Sequence, residues 1–257
     1  WEVYPADFRL NHRHLLLLLE VFDRYLKLRE NLDFSPPPRV IFLPGRFNPD
    51  RADEFALVKL ALHLQQLINS DPLTTDRLRL FTLLDPAPEL STALTRAAHQ
   101  GDVLWAPGQE SFSTAWIRCL INGAWIVSSK ARHLAAWSEP ATALLTFGDP
   151  ALTPKNYHPR QLLARQGNLR QLLDNLNRGL LPKGSALLKP LWQNLQDQQD
   201  PHRILHDFES FSECQREADR LFTTPDQGWS SILNLIAQAG IGSLAPLSRA
   251  TPVKKHH

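Results

Sequence analysis

The sequence predicts an α/β protein built on a doubly wound parallel sheet, followed by a helical C-terminal tail. Three observations carry that prediction. Short apolar runs ended by turn residues recur along residues 40–147. Segments with apolar residues at helical spacing separate them, and alternation at this interval is the pattern of parallel strands joined by helices. After Asp149-Pro150 the strand signals stop and only helical patterns remain.

The elements follow in order. Residues 11–31 place Leu15, Leu18, Val21, Phe22, Tyr25 and Leu28 at helical spacing. Ser35-Pro36-Pro37-Pro38 breaks that helix, and Val40-Ile41-Phe42-Leu43 reads as a strand buried on both faces. A helix over 52–68 precedes Asp71-Pro72. Further strands are expected at 78–84, 103–105, 124–127 and 143–147, about five in all, with helices over 91–99 and 113–121 between them. The tail reads as helices over 160–178, 186–199, 212–221 and 230–239, with Gly179 and Gly240 placed as C-caps. The expected organisation is a sheet core over 1–150, a helical extension over 151–248 on the same domain, and a disordered tail or tag remnant over 249–257. The chain opens on Trp1 and has no methionine, which reads as a trimmed start or as methionines left out of the sequence.

Composition narrows the function classes. At 257 residues the chain is long enough for a large core, and 43% hydrophobic with 21% charged residues is ordinary globular composition. The net charge is +2 and basic residues form no stripe outside Lys254-Lys255, which argues against nucleic acid. The run Leu15–Leu19 is too short to span a membrane. Cys119 and Cys214 have no metal-ligand or disulfide spacing, so a reducing cytoplasmic setting without a metal is expected.

Familiar catalytic motifs are absent: no GxGxxG, Walker loop, HExxH or GxSxG occurs. His12 and His14 stand at i and i+2, which point to different sides of a helix and make a poor ligand pair. The turns 45–49 and 107–111 each lie between an expected strand and helix. Backbone N–H groups there can hold an anion, with Arg46 adding charge, or the first can be a plain βα turn. Glu110 in the second suits a helix N-terminus electrostatically.

Several segments together resemble the α-glucan (glycogen/starch) phosphorylase family. Residues 203–211, Arg-Ile-Leu-His-Asp-Phe-Glu-Ser-Phe, continue to Cys214-Gln215 and then to Gly228-Trp229-Ser230-Ser231-Ile232-Leu233-Asn234. They look like the family's L-x-D-F-x-S-Y…Q…W…S-I-L-N-x-A…G signature. Asn69-Ser70-Asp71-Pro72 is similar to N-N-D-P, and Leu120-Ile121-Asn122-Gly123-Ala124 to L-N-G-A. The resemblance runs from about Phe8 to Gly242 and implies the C-terminal, Rossmann-like half of a two-domain GT-B fold, without the N-terminal half.

It also implies pyridoxal phosphate held as a Schiff base by a lysine. Counting back from Asn122-Gly123-Ala124, that position is Arg118. A guanidinium stays protonated, whereas imine formation needs a neutral amine. Ser113 and Ala115 replace two family glycines while Glu110 and Thr114 match. Arg9 matches an arginine of K-R-I-H-E-Y-K, but the phosphate lysine of that segment falls at His14. Pro86 and Ala87 replace the tyrosine and arginine of N-Y-R-V-S, and residues 131–136 have lost D-G-A-N-V-E.

The resulting expectation is a non-catalytic phosphorylase-like domain that binds no pyridoxal phosphate. It would act by binding or scaffolding, through a protein partner or self-association on the face that meets the other half in phosphorylases. Phe47, Phe112 and Trp116 are candidates for that face. Two alternatives stand beside it. One is a sensor of phosphate, sugar phosphate or glucan using a vestigial site at Arg9, His14, Arg46, Glu110, Ser113 and Thr114. The other is one half of a split phosphorylase.

Overall fold

The computed structural model describes residues 2–3, 10, 12–31, 33–45, 47–84, 103–106, 125–129, 144–149, 151, 157–178, 185–197, 200–224, 226, 230 and 233. Its centre is a parallel sheet of β1 (Glu2–Val3), β2 (Arg39–Gly45), β3 (Leu78–Leu84), β4 (Val103–Ala106), β5 (Trp125–Ser129) and β6 (Leu144–Phe147). The strand order is β3-β2-β1-β4-β5-β6, so the chain fills one side of β1 and then the other. All five pairings are parallel. The five expected strands are present, and a sixth, the two-residue β1, joins the two halves of the sheet.

Burial differs between strands. Trp125, Ile126, Val127 and Ser128 are all buried, as a strand covered on both faces should be. In β2, Ile41 and Leu43 are buried while Val40 and Phe42 are half-buried, so one face of β2 is only partly covered. Phe42 pairs in register with Phe81 of β3, and their rings stack 5.6 Å apart.

Helix α1 (His14–Glu30) packs against α2 (Ala52–Ser70) and the long C-terminal helix, here α6 (Ile204–Thr223). Leu15–Leu19 are all fully buried, which assigns the leucine run to the core. Each such side chain contributes on the order of 2 kcal/mol relative to exposure. Helix α2 lies on β3, and α6 lies on β6.

The tail departs from the periodicity in three places. The 160–178 stretch is two helices, α3 (Pro159–Arg165) and α4 (Gly167–Arg178), because Gln166 leaves helical dihedrals and Gly167 has low helix propensity. The next stretch is α5 (Ser185–Trp192), which contains Pro190 and gives way to a π-helical turn over Gln193–Asp197. Helix α6 begins at Ile204, eight residues before the expected start. The expected helices at 91–99 and 113–121, with Gly179 and Gly240, lie outside the described residues.

Candidate functional site

In a doubly wound sheet, ligands bind beyond the carboxyl ends of the strands where the strand order reverses. Here that reversal lies between β1 and β4. The chain leaves β1 at Val3 and β4 at Ala106. The segments carrying Arg9 and residues 110–118 follow those two strands in sequence. Of the predicted site residues only His14 is described; Arg9, Arg46, Glu110, Ser113, Thr114 and Arg118 lie outside the described residues, as do Phe112 and Trp116.

His14 is the first residue of α1 and is 5% exposed. His12, in the turn before it, is equally buried, and neither ring nitrogen has a hydrogen-bond partner. Its ring lies 5.0 Å from that of His202. Burial lowers the His12 pKa to about 4, with His202 and Arg51 acting in the same direction and Asp53 against them. His202 is also lowered, chiefly by burial and then by Arg13. Both rings are therefore neutral at pH 7. Among the described residues no group of three or more His, Cys, Asp or Glu side chains could hold a metal.

Beside this pair, Arg13 donates to the Asp207 carboxylate at 2.9 Å and to the His202 carbonyl at 3.0 Å. His206 Nδ1 lies 2.8 Å from the other Asp207 oxygen. Gly148, just past β6, has φ +85°, and its N–H donates to Ser210 Oγ at 3.0 Å. A Cβ there would come within 3.0 Å of Asp207 Oδ1, so the close approach of strand end and helix requires glycine. The start of α6 is fixed by Asp200, which accepts the Ile204 and Leu205 N–H groups at 2.8 Å each. Tyr157 donates to the same carboxylate at 2.6 Å. Burial raises the pKa of both Asp200 and Tyr157.

The third helix start belongs to α2. Arg51 pairs with Asp53 at 2.9 Å and with Glu54 at 3.2 Å, and Glu54 also accepts the Asn48 N–H at 2.7 Å. Phe47 is half-buried against the core and stacks on Phe55, 6.5 Å away. Arg13 and Arg51 are thus each bonded to carboxylates of this chain, which lowers the positive potential these two offer an incoming anion, while Arg203 donates to the Asp149 carbonyl.

Sequence reasoning did not single out His202, His206, Asp200 or Tyr157. Asp200-Pro201 ahead of an apolar run is a helix-start signal that would have found the first contact. The contacts of His12 and Arg13 with His202 and Asp207 join residues nearly two hundred positions apart, and Tyr157 lies 43 positions from Asp200, beyond any local pattern.

A family model described as carbohydrate phosphorylase matches residues 8–244. Similar proteins include the brain form of glycogen phosphorylase from Mus musculus, 25% identical over 248 residues, covering 93% of this chain and 29% of that protein. Glycogen phosphorylase from Synechocystis is 25% identical over 233 residues, covering 87% of this chain and 27% of its own length. The muscle form from Oryctolagus cuniculus is 24% identical over 236 residues, covering 89% and 28%. The chain thus spans under a third of the length of these relatives. With the family model matching over most of its length, the chain belongs to the carbohydrate phosphorylase family.

Proposed function

We propose that this chain is a phosphorylase-family domain that does not phosphorolyse glucan and acts by binding a partner. The carrying observation is Arg118, which stands where the family's cofactor lysine is expected by register from Asn122-Gly123-Ala124. By the resemblance, pyridoxal phosphate in the family is anchored to that lysine through an imine. An arginine does not provide the neutral amine for that bond. The residues present therefore do not fit the cofactor.

Three further features support the reading. Ser113 and Ala115 add side chains where glycines would admit close backbone approach. The position matched to a phosphate-holding lysine is the buried imidazole of His14. Arg13 and Arg51 are bonded to carboxylates of the chain itself. The strand order 3-2-1-4-5-6 agrees with a Rossmann-like half of a GT-B fold. The binding face of this proposal is the one that meets the second half in phosphorylases, with Phe47 on it.

The test combines two measurements on the purified chain. With added pyridoxal phosphate, phosphate and glycogen, glucose 1-phosphate release should stay at the blank. After borohydride treatment, peptide mapping should find no pyridoxyl group on the peptide carrying Arg118. Release above the blank that depends on pyridoxal phosphate would overturn the proposal.

A further inference from the structure

The starts of α1 and α6 meet at a corner on the carboxyl edge of the sheet, beside the end of β6. There the ring of His12 is 5% exposed, with neither nitrogen hydrogen-bonded, and the ring of His202 lies 5.0 Å away. His202 itself is exposed, so a small displacement of its turn, residues 200–203, brings His12 to water.

That turn has a strained backbone. Asp200 at φ 49° and Arg203 at φ 58° bound it, both in the left-handed region that disfavours residues with a side chain. Contacts from outside the turn hold it. Arg13 donates to the His202 carbonyl at 3.0 Å, Arg203 to the Asp149 carbonyl at 3.4 Å, and the Asp200 N–H to the Asn194 carbonyl at 3.0 Å. Further along, Arg24 of α1 bonds Asp219 of α6, and Leu15–Leu19 are fully buried. The later turns of the two helices thus stay fastened without the corner, which is the arrangement that lets one region open locally.

The charges around the ring pair leave a proton on His12 without an acceptor. From α1 the pair faces Arg13, which is bonded to Asp207, as is His206. From α2 it faces Arg51 and Asp53, which bond each other, with Glu54 also on Arg51. Asp200 faces His202 and already accepts two N–H groups and the Tyr157 hydroxyl. Burial raises the Asp200 pKa, so its proton uptake favours the closed corner and opposes opening in part. Burial acts on His12 with the opposite sign, holding it at about 4 in the closed corner against 6.5 in solvent. We propose that the His12–His202 contact is an acid-sensitive latch, whose protonation frees the turn 200–203 from the start of α1 while the rest of the fold stays closed. The latch involves neither Arg118 nor the proposed function.

Hydrogen exchange of the whole chain at pH 7 and pH 5, read by mass spectrometry and corrected for intrinsic rates, tests the latch. The closed and solvated values for His12 predict that opening of the corner rises roughly twentyfold between these pH values. Peptides covering 10–16 and 200–207 should lose protection accordingly, while the α2 peptide 60–68 keeps its own. His12→Phe retains an aromatic ring without the titrating nitrogens, and its acid response at the corner should be at least about fivefold smaller than the parent's. Corner protection equal at pH 7 and pH 5, joint loss at the corner and in 60–68, or the full response retained in His12→Phe would each overturn the latch. The corner and α2 peptides of the parent decide the matter even where the variant does not fold.

Discussion

His12 shows how one side chain sets a solution property. Its pKa falls from an ordinary value near 6.5 to about 4 on folding, mainly through burial. The unfolded chain therefore takes up the proton first as pH drops. The stabilisation is complete above pH 6.5 and is lost progressively between 6.5 and 4, by on the order of 3 kcal/mol. His202, lowered for the same reason, adds to the slope. Urea titrations from pH 7 to 4 should show this decline. In His12→Leu the decline should shrink, with stability at pH 7 held or raised, because two unpaired nitrogens leave the core. An unaltered slope in the variant would assign the decline to other groups. Neither ring was legible as a titrating pair in the sequence, where His12 and His202 are 190 positions apart.

Asp219 is the residue on which two buried arginines converge. Arg24 of α1 donates to it at 2.5 Å and Arg39 of β2 at 2.8 Å, while Arg24 also meets Glu20 at 3.2 Å. Arg39 bonds Gln215 of α6 as well. Asp219→Ala removes a carboxylate shared by two buried guanidinium groups and should cost about 3–5 kcal/mol in denaturant unfolding. A loss under 1 kcal/mol would mean that Glu20 and Gln215 suffice for both.

At the scale of elements, the edge strand β3 explains a motif. Asn69 donates to the Leu80 carbonyl at 2.8 Å and accepts the Leu80 N–H at 3.0 Å. Gln65, one helical turn earlier on α2, accepts the Thr82 N–H at 2.5 Å. Two side chains of α2 thus satisfy alternate residues of an edge that would otherwise offer its backbone to another strand. Asp71 extends the same corner by accepting from Tyr25 at 2.9 Å and pairing with Arg29 at 3.1 Å. The Asn69-Ser70-Asp71-Pro72 segment is therefore explained by packing and edge protection. The double change Gln65→Ala with Asn69→Ala should lower stability by at least ~2 kcal/mol. It should also promote concentration-dependent association in light scattering, whereas a soluble, fully stable variant would contradict this role.

Most elements were legible because their signals are local. The strands at 78–84 and 144–147 and the helix at 52–70 announce themselves through apolar runs and periodicity. Strand β1 has only two residues, Glu2–Val3, and exists because β2 and β4 pair on either side of it. The start of α6 at Ile204 depends on the Asp200 carboxylate and on Arg203 at φ 58°, a conformation that a three-dimensional setting must hold.

At the scale of the whole molecule, the chain keeps a parallel sheet in the order 3-2-1-4-5-6, packed with α1, α2 and α6. Family membership was legible from the order and spacing of motifs that no single element carries. No described helix is long and apolar enough to cross a membrane. Of the candidate site, the sequence supplied residue identities at Arg118, Ser113, Ala115 and His14. The contacts among His12, Arg13, His202 and Asp207 came only from the assembled fold. What unites the two is the proposed function, in which Arg13 and Arg51 pair with carboxylates of the chain and the sequence register assigns the family's cofactor position to Arg118.

Arg118 is therefore the residue on which the functional account turns. The most direct measurement is phosphate-dependent release of glucose 1-phosphate from glycogen by the purified chain with pyridoxal phosphate, read beside Arg118→Lys. The account predicts no release above the blank and no borohydride-fixed pyridoxyl group at position 118 in the parent chain. Cofactor-dependent release by the parent chain would contradict it.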